Sequence, residues 1–139
     1  MSAPRPVEPV VGMEFYVEDE PWPYKVARVL AGAILCTNAD PLRHGEIDCY
    51  SRNFWIRWQE KGRLRPVLWT VGPSERPYTR LCHDDDRGEY RDVFCMHTPC
   101  KCREGCRNYV ALWPTKAAAL AAGKAYGWSE PVARRVVRR

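Results

Sequence analysis

YKVARVLAGAILCTN, residues 24–38, decides the fold, because two short apolar runs flank a two-residue turn signal. Such runs favour β-strands, and Ala31-Gly32 can close a tight hairpin since glycine adopts the positive φ that these turns require. Comparable runs recur about every ten residues, a spacing typical of small all-β domains. They cover residues 13–17, 24–30, 34–38, 47–50, 54–59 and 64–71. The pattern predicts a small antiparallel barrel or meander sheet over residues 13–71.

A second hairpin is predicted at Lys61-Gly62, between the runs at 54–59 and 64–71. Alternation along the first run gives it two faces. The faces are Phe54, Ile56 and Trp58 on one side, and Trp55, Arg57 and Gln59 on the other. One face would pack in the core, and the other would present a ring and a cation to solvent.

The C-terminal half predicts a hairpin, a strand and a helix. Turn-forming residues at 84–88 separate runs at 78–82 and 89–96, and residues 108–113 form a further strand. Thr115 can cap an alanine-rich helix over residues 116–126, which Gly127 can end. Its expected apolar face is Ala118, Ala121, Ala122 and Ala125. The fold class is therefore α+β and mainly β, with a Cys-rich zinc-binding insertion and one C-terminal helix.

Composition changes divide the chain into four parts. Residues 1–12 are Pro-rich and predict a flexible arm, and residues 13–71 form the β-barrel-like part. A Gly-Pro segment at 72–77 separates that part from residues 78–128, which hold the hairpin, the cysteine cluster and the final strand and helix. Residues 129–139 form a basic tail.

Four cysteines within twelve residues predict a metal centre. Four thiolates satisfy tetrahedral Zn²⁺, and turn-compatible residues between them allow the chain to wrap the ion. The candidate zinc ligands are Cys95, Cys100, Cys102 and Cys106. His97, Cys82 or His83 could replace one of them, and an iron-sulfur centre, a catalytic metal or redox-active thiols remain alternatives. Cys36 and Cys49 are expected to be buried core thiols.

Catalytic patterns are weak in this chain. His44-Gly45-Glu46 matches the first half of a zinc-deaminase signature, but Pro99-Cys100-Lys101-Cys102 has its second thiol one residue too close. Asp84, Asp85 and Asp86 could hold Mg²⁺, but three consecutive side chains point in different directions. Motifs for nucleotide binding and hydrolysis do not occur. We therefore expect a non-enzymatic protein with zinc as its only cofactor.

Composition points to the cytoplasm. The longest uncharged stretch, residues 29–39, is shorter than the roughly 20 residues that a membrane helix needs. The N-terminus lacks a secretory signal, and the odd number of cysteines, seven, disfavours a disulfide framework.

A basic and aromatic segment, residues 52–65, is the candidate binding site for nucleic acid. Cations on a strand contact phosphates, while exposed rings stack on unpaired bases. The candidate residues there are Arg52, Trp55, Arg57, Lys61, Arg63 and Arg65, and Arg134 and Arg135 in the tail could add phosphate contacts. The alternative partner is a host protein bound through a Trp-rich surface, since six Trp and seven Tyr suit a protein interface.

Residues 24–58 resemble small bacteriophage and mobile-element accessory proteins with an SH3-like β-barrel. The resemblance lies in YKVARV at 24–29, the hairpin after it, and SRNFWIRW at 51–58. It implies a small phage-encoded accessory protein that binds nucleic acid or a host protein, in the host cytoplasm. The alternative function is a phage-type regulator or inhibitor of a host enzyme that acts through the Trp-rich surface.

Overall fold

The computed structural model describes residues 6–75, 90–93 and 109–137. Within these ranges six strands form one antiparallel sheet in the order β4-β3-β2-β1-β5-β8, and β6 pairs with β7. The strands are β1 (Glu14–Val17), β2 (Tyr24–Val29), β3 (Ala33–Asn38), β4 (Asp48–Ser51), β5 (Leu64–Pro73), β6 (Tyr90–Val93), β7 (Tyr109–Leu112) and β8 (Pro131–Val137). The helices are α1 (Arg52–Glu60) and α2 (Lys116–Tyr126). The mainly β, α+β class is confirmed.

The chain divides into two compact units. The first unit contains residues 1–67 and 137–139, and the second contains residues 68–136. Strand β5 begins in the first unit and continues into the second.

In the first unit, β1 to β4 form the predicted meander, because each strand pairs antiparallel with the next one along the chain. The hairpin of β2 and β3 pairs Tyr24 with Asn38 and Val29 with Ile34. The Leu30 amide donates to the Ala33 carbonyl at 2.8 Å across the turn. The turn is therefore confirmed. Gly32, however, does not have a positive φ, so the prediction that the turn needs glycine for this conformation is wrong.

Aromatic rings fill the core of this unit around Phe15, which is fully buried. Its ring stacks on Tyr24 at 5.3 Å and meets Trp55 edge-on at 5.0 Å. Cys36 is buried as predicted, but Cys49 is exposed, so the prediction of a buried thiol at 49 is wrong. Successive side chains of a strand point to opposite faces, and Cys49 lies on the exposed face of β4.

Residues 54–59 form part of helix α1 and not the predicted strand. The Ser51 hydroxyl caps the helix by accepting from the Phe54 amide at 3.1 Å, and Gly62 follows its C-terminus with φ +71°. The predicted hairpin with residues 64–71 is therefore wrong, and Lys61-Gly62 instead joins a helix to β5. The chain also has a second helix that the sequence pattern did not predict.

Helix α1 is held by the segment before β1. Val7 is buried, its carbonyl accepts from Trp55 Nε1 at 2.8 Å, and its amide donates to Gln59 Oε1 at 2.9 Å. Val7 lies within residues 1–12, which the sequence predicts to be a flexible arm. In the structure this residue is instead buried and hydrogen-bonded to helix α1.

In the second unit, helix α2 has the predicted bounds and the predicted Thr115 N-cap, whose hydroxyl accepts from the Ala118 amide at 3.1 Å. Its buried positions are Ala119 and Gly123, whereas Ala121 and Ala125 are exposed. The expected apolar face is thus rotated. The helix packs in a core formed by Val71, Ala111, Trp113 and Ala119.

The strand predicted at 108–113 is confirmed as β7, which pairs with β6. The range 129–139, predicted as a tail, contains strand β8, so the tail assignment is wrong over Pro131–Val137. The other predicted hairpin arm at 78–82 and the turn at 84–88 lie outside the described residues. Within the described ranges, neither helix is long and apolar enough to cross a membrane.

Candidate functional site

Four predicted nucleic-acid-binding cations lie where α1 ends and β5 begins. Arg57 and Lys61 are exposed at the C-terminal end of the helix, and Arg63 and Arg65 follow at the start of β5. A tight turn fixes the chain here, because the Lys61 amide donates to the Arg57 carbonyl at 3.1 Å and the Arg63 amide to the Trp58 carbonyl at 2.8 Å. We call Arg57, Lys61, Arg63, Arg65 and Trp58 the basic-aromatic surface.

Two of these cations lie over aromatic rings. Arg63 Cζ is 5.7 Å from the centroid of the Trp58 ring, and Arg65 Cζ is 5.7 Å from that of Tyr16. A guanidinium over a ring is attracted through its flat face. Its five N–H donors are not used by this contact with the ring, and they suit phosphate oxygens.

A column of contacting rings supports Trp58. Trp58 contacts Phe54 at 4.3 Å between centroids, Phe54 stacks on Tyr50 at 4.6 Å, and Tyr50 meets Tyr24 at 5.9 Å. Pairs of this kind contribute about 0.5–1.5 kcal/mol each beyond burial. The column therefore holds Trp58, and with it Arg63, in a defined place. Burial, with a hydrogen bond to Tyr24, raises the pKa of Tyr50 well above its ordinary value, so this ring stays neutral.

The charged neighbours of these cations decide whether a ligand can contact them. Within the described residues, Arg57, Lys61, Arg63 and Arg65 take part in no ion pair. Glu18 and Asp19 share an open groove of about 420 Å³ with Gly62, Arg63 and Arg65. Arg65 Nη2 donates to the backbone oxygen of Glu18 at 3.4 Å, not to its carboxylate. Within the described residues, Arg63 and Arg65 therefore have no carboxylate in direct contact, although Glu18 and Asp19 lie in the same groove.

Two other predicted site residues have structural roles. Trp55 is 1% exposed, so the prediction that its ring faces solvent is wrong. The error follows from the strand assignment, because α1 turns Trp55 towards Phe15 and the buried Val7 carbonyl. Arg52 forms an ion pair with Glu8 at 2.7 Å and is the one cation of residues 52–65 that is paired in this part of the chain.

Arg134 and Arg135 are both exposed on β8, in the second unit. Adjacent residues of a strand point to opposite faces, so the two guanidinium groups cannot contact one phosphate together. Their predicted role in binding stays a prediction.

A network around Arg43 was not predicted from sequence. Arg43 Nε contacts Glu46 Oε2 at 3.0 Å, Nη1 donates to the Tyr24 hydroxyl at 3.2 Å, and Nη2 pairs with the Asp48 carboxylate. Hydrogen bonds to Glu46 and Tyr24 raise the pKa of Arg43 above its ordinary value. Glu46 is paired with Arg43 and His44 is exposed. The cysteine half of the deaminase-like pattern lies outside the described residues, so that alternative stays a prediction.

The predicted metal residues cannot be placed. Cys95, Cys100, Cys102 and Cys106 lie outside the described residues, as do Cys82, His83, His97 and Asp84 to Asp86. In the part of the chain that the structure describes, no three His, Cys, Asp or Glu side chains are grouped to hold a metal ion.

Comparisons with protein-family profiles, with curated proteins and with solved structures find no match to this chain. The resemblance to phage SH3-like proteins therefore stays a prediction. In its second half, Ser51 ends β4 and caps helix α1, which contains residues 52–58, whereas a strand was expected over residues 54–59.

Proposed function

We propose that this protein is a non-enzymatic accessory or regulatory protein that binds single-stranded nucleic acid through the basic-aromatic surface. The proposal depends on Arg63 and Arg65. Each of these arginines lies over an aromatic ring, and neither forms an ion pair with a carboxylate among the described residues. Such cations contact phosphates without reading sequence. Proteins that bind single strands combine a basic groove with aromatic side chains, and arginine adds cation–π contacts there.

Single strands are favoured over duplex DNA because α1 is unsuited to the major groove. A recognition helix presents several base-reading or phosphate-binding side chains along its exposed face. The exposed face of α1 includes an aliphatic side chain, Ile56, and an acid, Glu60, beside Arg57. The cations are concentrated at its C-terminal end and on β5 instead. A flexible strand can follow this short surface, whereas a rigid duplex cannot.

The test is fluorescence anisotropy with a labelled single-stranded RNA, the same sequence as DNA, and the DNA duplex, all at low salt. The variant carries Arg57→Gln, Lys61→Gln, Arg63→Gln and Arg65→Gln. The matched control removes the same charge at four exposed positions elsewhere, Lys25→Gln, Arg28→Gln, Lys116→Gln and Lys124→Gln.

We expect the surface variant to bind single strands at least about tenfold more weakly, while the control changes affinity by no more than about threefold. Equal loss in both variants would show that only net charge matters, and it would overturn the assigned surface. Absence of binding by the native protein to all three probes would overturn the function. Adding Arg134→Gln and Arg135→Gln to the surface variant measures any contribution from β8.

We also propose that Cys95, Cys100, Cys102 and Cys106 hold one structural zinc ion, because four thiolates complete its tetrahedral coordination. Elemental analysis of protein purified without chelator should give about one zinc per chain, with four sulfur ligands by X-ray absorption. Cys100→Ser combined with Cys102→Ser should abolish it. A metal-free native protein, or iron in place of zinc, would contradict the proposal.

A further inference from the structure

The segment between β3 and β4, residues 39–47, presents two aliphatic side chains to solvent. Leu42 is 90% exposed and Ile47 is 66% exposed, the two largest exposed fractions among the large apolar side chains of the described residues. Exposed apolar side chains that occur singly need no explanation, whereas two strongly exposed ones on a single nine-residue loop are a candidate for partner binding. We call residues 39–47 the apolar loop.

The backbone of the apolar loop is fixed by capping hydrogen bonds. Asn38 Oδ1 accepts from the Asp40 amide at 2.8 Å, and Asp40 Oδ1 accepts from the Leu42 amide at 2.9 Å. These bonds begin the short 3₁₀ turn Pro41–Arg43. Gly45 then reverses the chain with φ +85°, a conformation that a residue with a Cβ rarely adopts.

Arg43 fixes the second half of the loop. Its guanidinium pairs with Glu46 and Asp48, the two neighbours of Ile47, and lies 5.6 Å from the centroid of the Tyr24 ring. One side chain therefore connects the loop to strands β2 and β4. Leu42 and Ile47 are held outward in a preformed arrangement, so their ordering costs little when a partner binds.

We propose that the apolar loop docks into an apolar cleft of a partner protein whose rim is basic. Residues 39–48 contain three carboxylates, on Asp40, Glu46 and Asp48, against one arginine, Arg43. This negative charge repels phosphates and anionic lipid headgroups, and it complements a basic protein surface. Leu42 and Ile47 supply the anchors that such a cleft takes.

This interface is separate from the basic-aromatic surface. The loop adjoins β4, at the edge of the sheet. Arg63 comes just before β5 and Arg65 lies on it, and three strands separate β5 from β4 in the sheet. Loss of nucleic-acid binding and loss of partner binding are therefore distinguishable by variants at each surface.

The test uses the full chain with a photo-crosslinking amino acid at position 42, expressed in the cells that encode it. The captured protein is identified, purified and titrated by calorimetry against the native chain, Leu42→Asp and Ile47→Asp. Controls place the same charge at two other exposed apolar positions, Val11→Asp and Leu30→Asp, which are 58% and 40% exposed.

We expect Leu42→Asp to weaken binding of the purified partner by about 30-fold or more, as for a central interface anchor, and the controls to change it less than about threefold. Arg43→Met keeps both aliphatic side chains but removes the ion pairs. It should weaken binding about tenfold and speed amide exchange over residues 40–47.

The proposal is overturned if no protein is captured, or if the captured protein binds Leu42→Asp as tightly as the native chain. Crosslinking to nucleic acid, to lipid or to a second copy of this chain overturns it as well. Thermal unfolding of each variant is the control for folding. All substituted positions except Arg43 are exposed, so we expect the fold to stay intact.

Discussion

Trp55→Phe separates the two roles that the sequence pattern allows for this ring. On an exposed strand Trp55 would stack on bases, and its loss would lower affinity without changing stability. In the structure it is 1% exposed, its Nε1 donates to the Val7 carbonyl at 2.8 Å, and its ring packs on Phe15. The substitution should therefore lower stability and leave the affinity for nucleic acid unchanged.

The expected loss of stability has two parts. The hydrogen bond is worth about 1 kcal/mol, and the full penalty is avoided because Gln59 Nε2 also donates to the Val7 carbonyl, at 3.2 Å. The smaller ring leaves unfilled volume that costs about 1 kcal/mol more. A total of about 2 kcal/mol lowers Tm by about 6 °C in a chain of this size.

Urea unfolding followed by circular dichroism at the amide band measures the difference. Trp22→Phe is the matched control, because Trp22 is 43% exposed, and its stability should change by less than about 0.5 kcal/mol. A Trp55→Phe protein as stable as the native chain would refute the burial of this ring. A normal stability combined with weak nucleic-acid binding would restore the strand interpretation.

Three further experiments test the fold. Gly123→Ala should destabilise the fold by about 1–2 kcal/mol in a thermal scan, although alanine has the better helix propensity, because the new Cβ would lie 2.6 Å from Pro131 Cβ. Gly32→Ala is the control: a Cβ there would have nothing within 4 Å, so the substitution should be neutral or slightly stabilising. Ser51→Ala should cost about 1 kcal/mol by removing the N-cap of α1, and Ser51→Asp should retain that stability in urea titrations. Burial raises the pKa of Cys36 to about 12, so iodoacetamide at pH 8 should label the exposed Cys49 by peptide mass spectrometry while Cys36 stays unmodified in the folded protein. Comparable labelling of both thiols would contradict the buried position of Cys36.

The elements with strong local signals could be predicted from sequence. The β2–β3 hairpin has two apolar runs around a turn, and α2 has a capping threonine, an alanine-rich interior and a glycine at its end. Each of these elements is specified by residues that are close together in the chain. Their bounds in the structure agree with the prediction for α2 and nearly so for the hairpin.

Helix α1 was missed because its aromatic spacing satisfies two periods at once. Phe54, Ile56 and Trp58 alternate as in a strand, while Phe54 and Trp58 are also four residues apart, as on one face of a helix. Ser51 and Gly62, the capping residues at either end, were the available signal for the helix. Read together, they frame a helix of the observed length.

The apolar loop and the Arg43 network depend on tertiary structure. A sequence shows that Leu42 is aliphatic, but its exposure is decided by how the loop between β3 and β4 is held. Arg43 contacts Tyr24, which is nineteen residues away, and such a contact depends on the pairing of the strands. The four cations of the basic-aromatic surface can be named from the sequence, but the positions of Arg63 and Arg65 over Trp58 and Tyr16 appear only in the fold.

The most direct test of the proposed function is the salt dependence of binding to single-stranded RNA. Neutralising four phosphates on a single strand predicts that log K falls with log salt concentration with a slope of about −2.8. The variant that lacks Arg57, Lys61, Arg63 and Arg65 should have a slope near zero, with residual binding independent of salt. Equal slopes for the native chain and this variant would contradict the assignment of the binding surface to these residues.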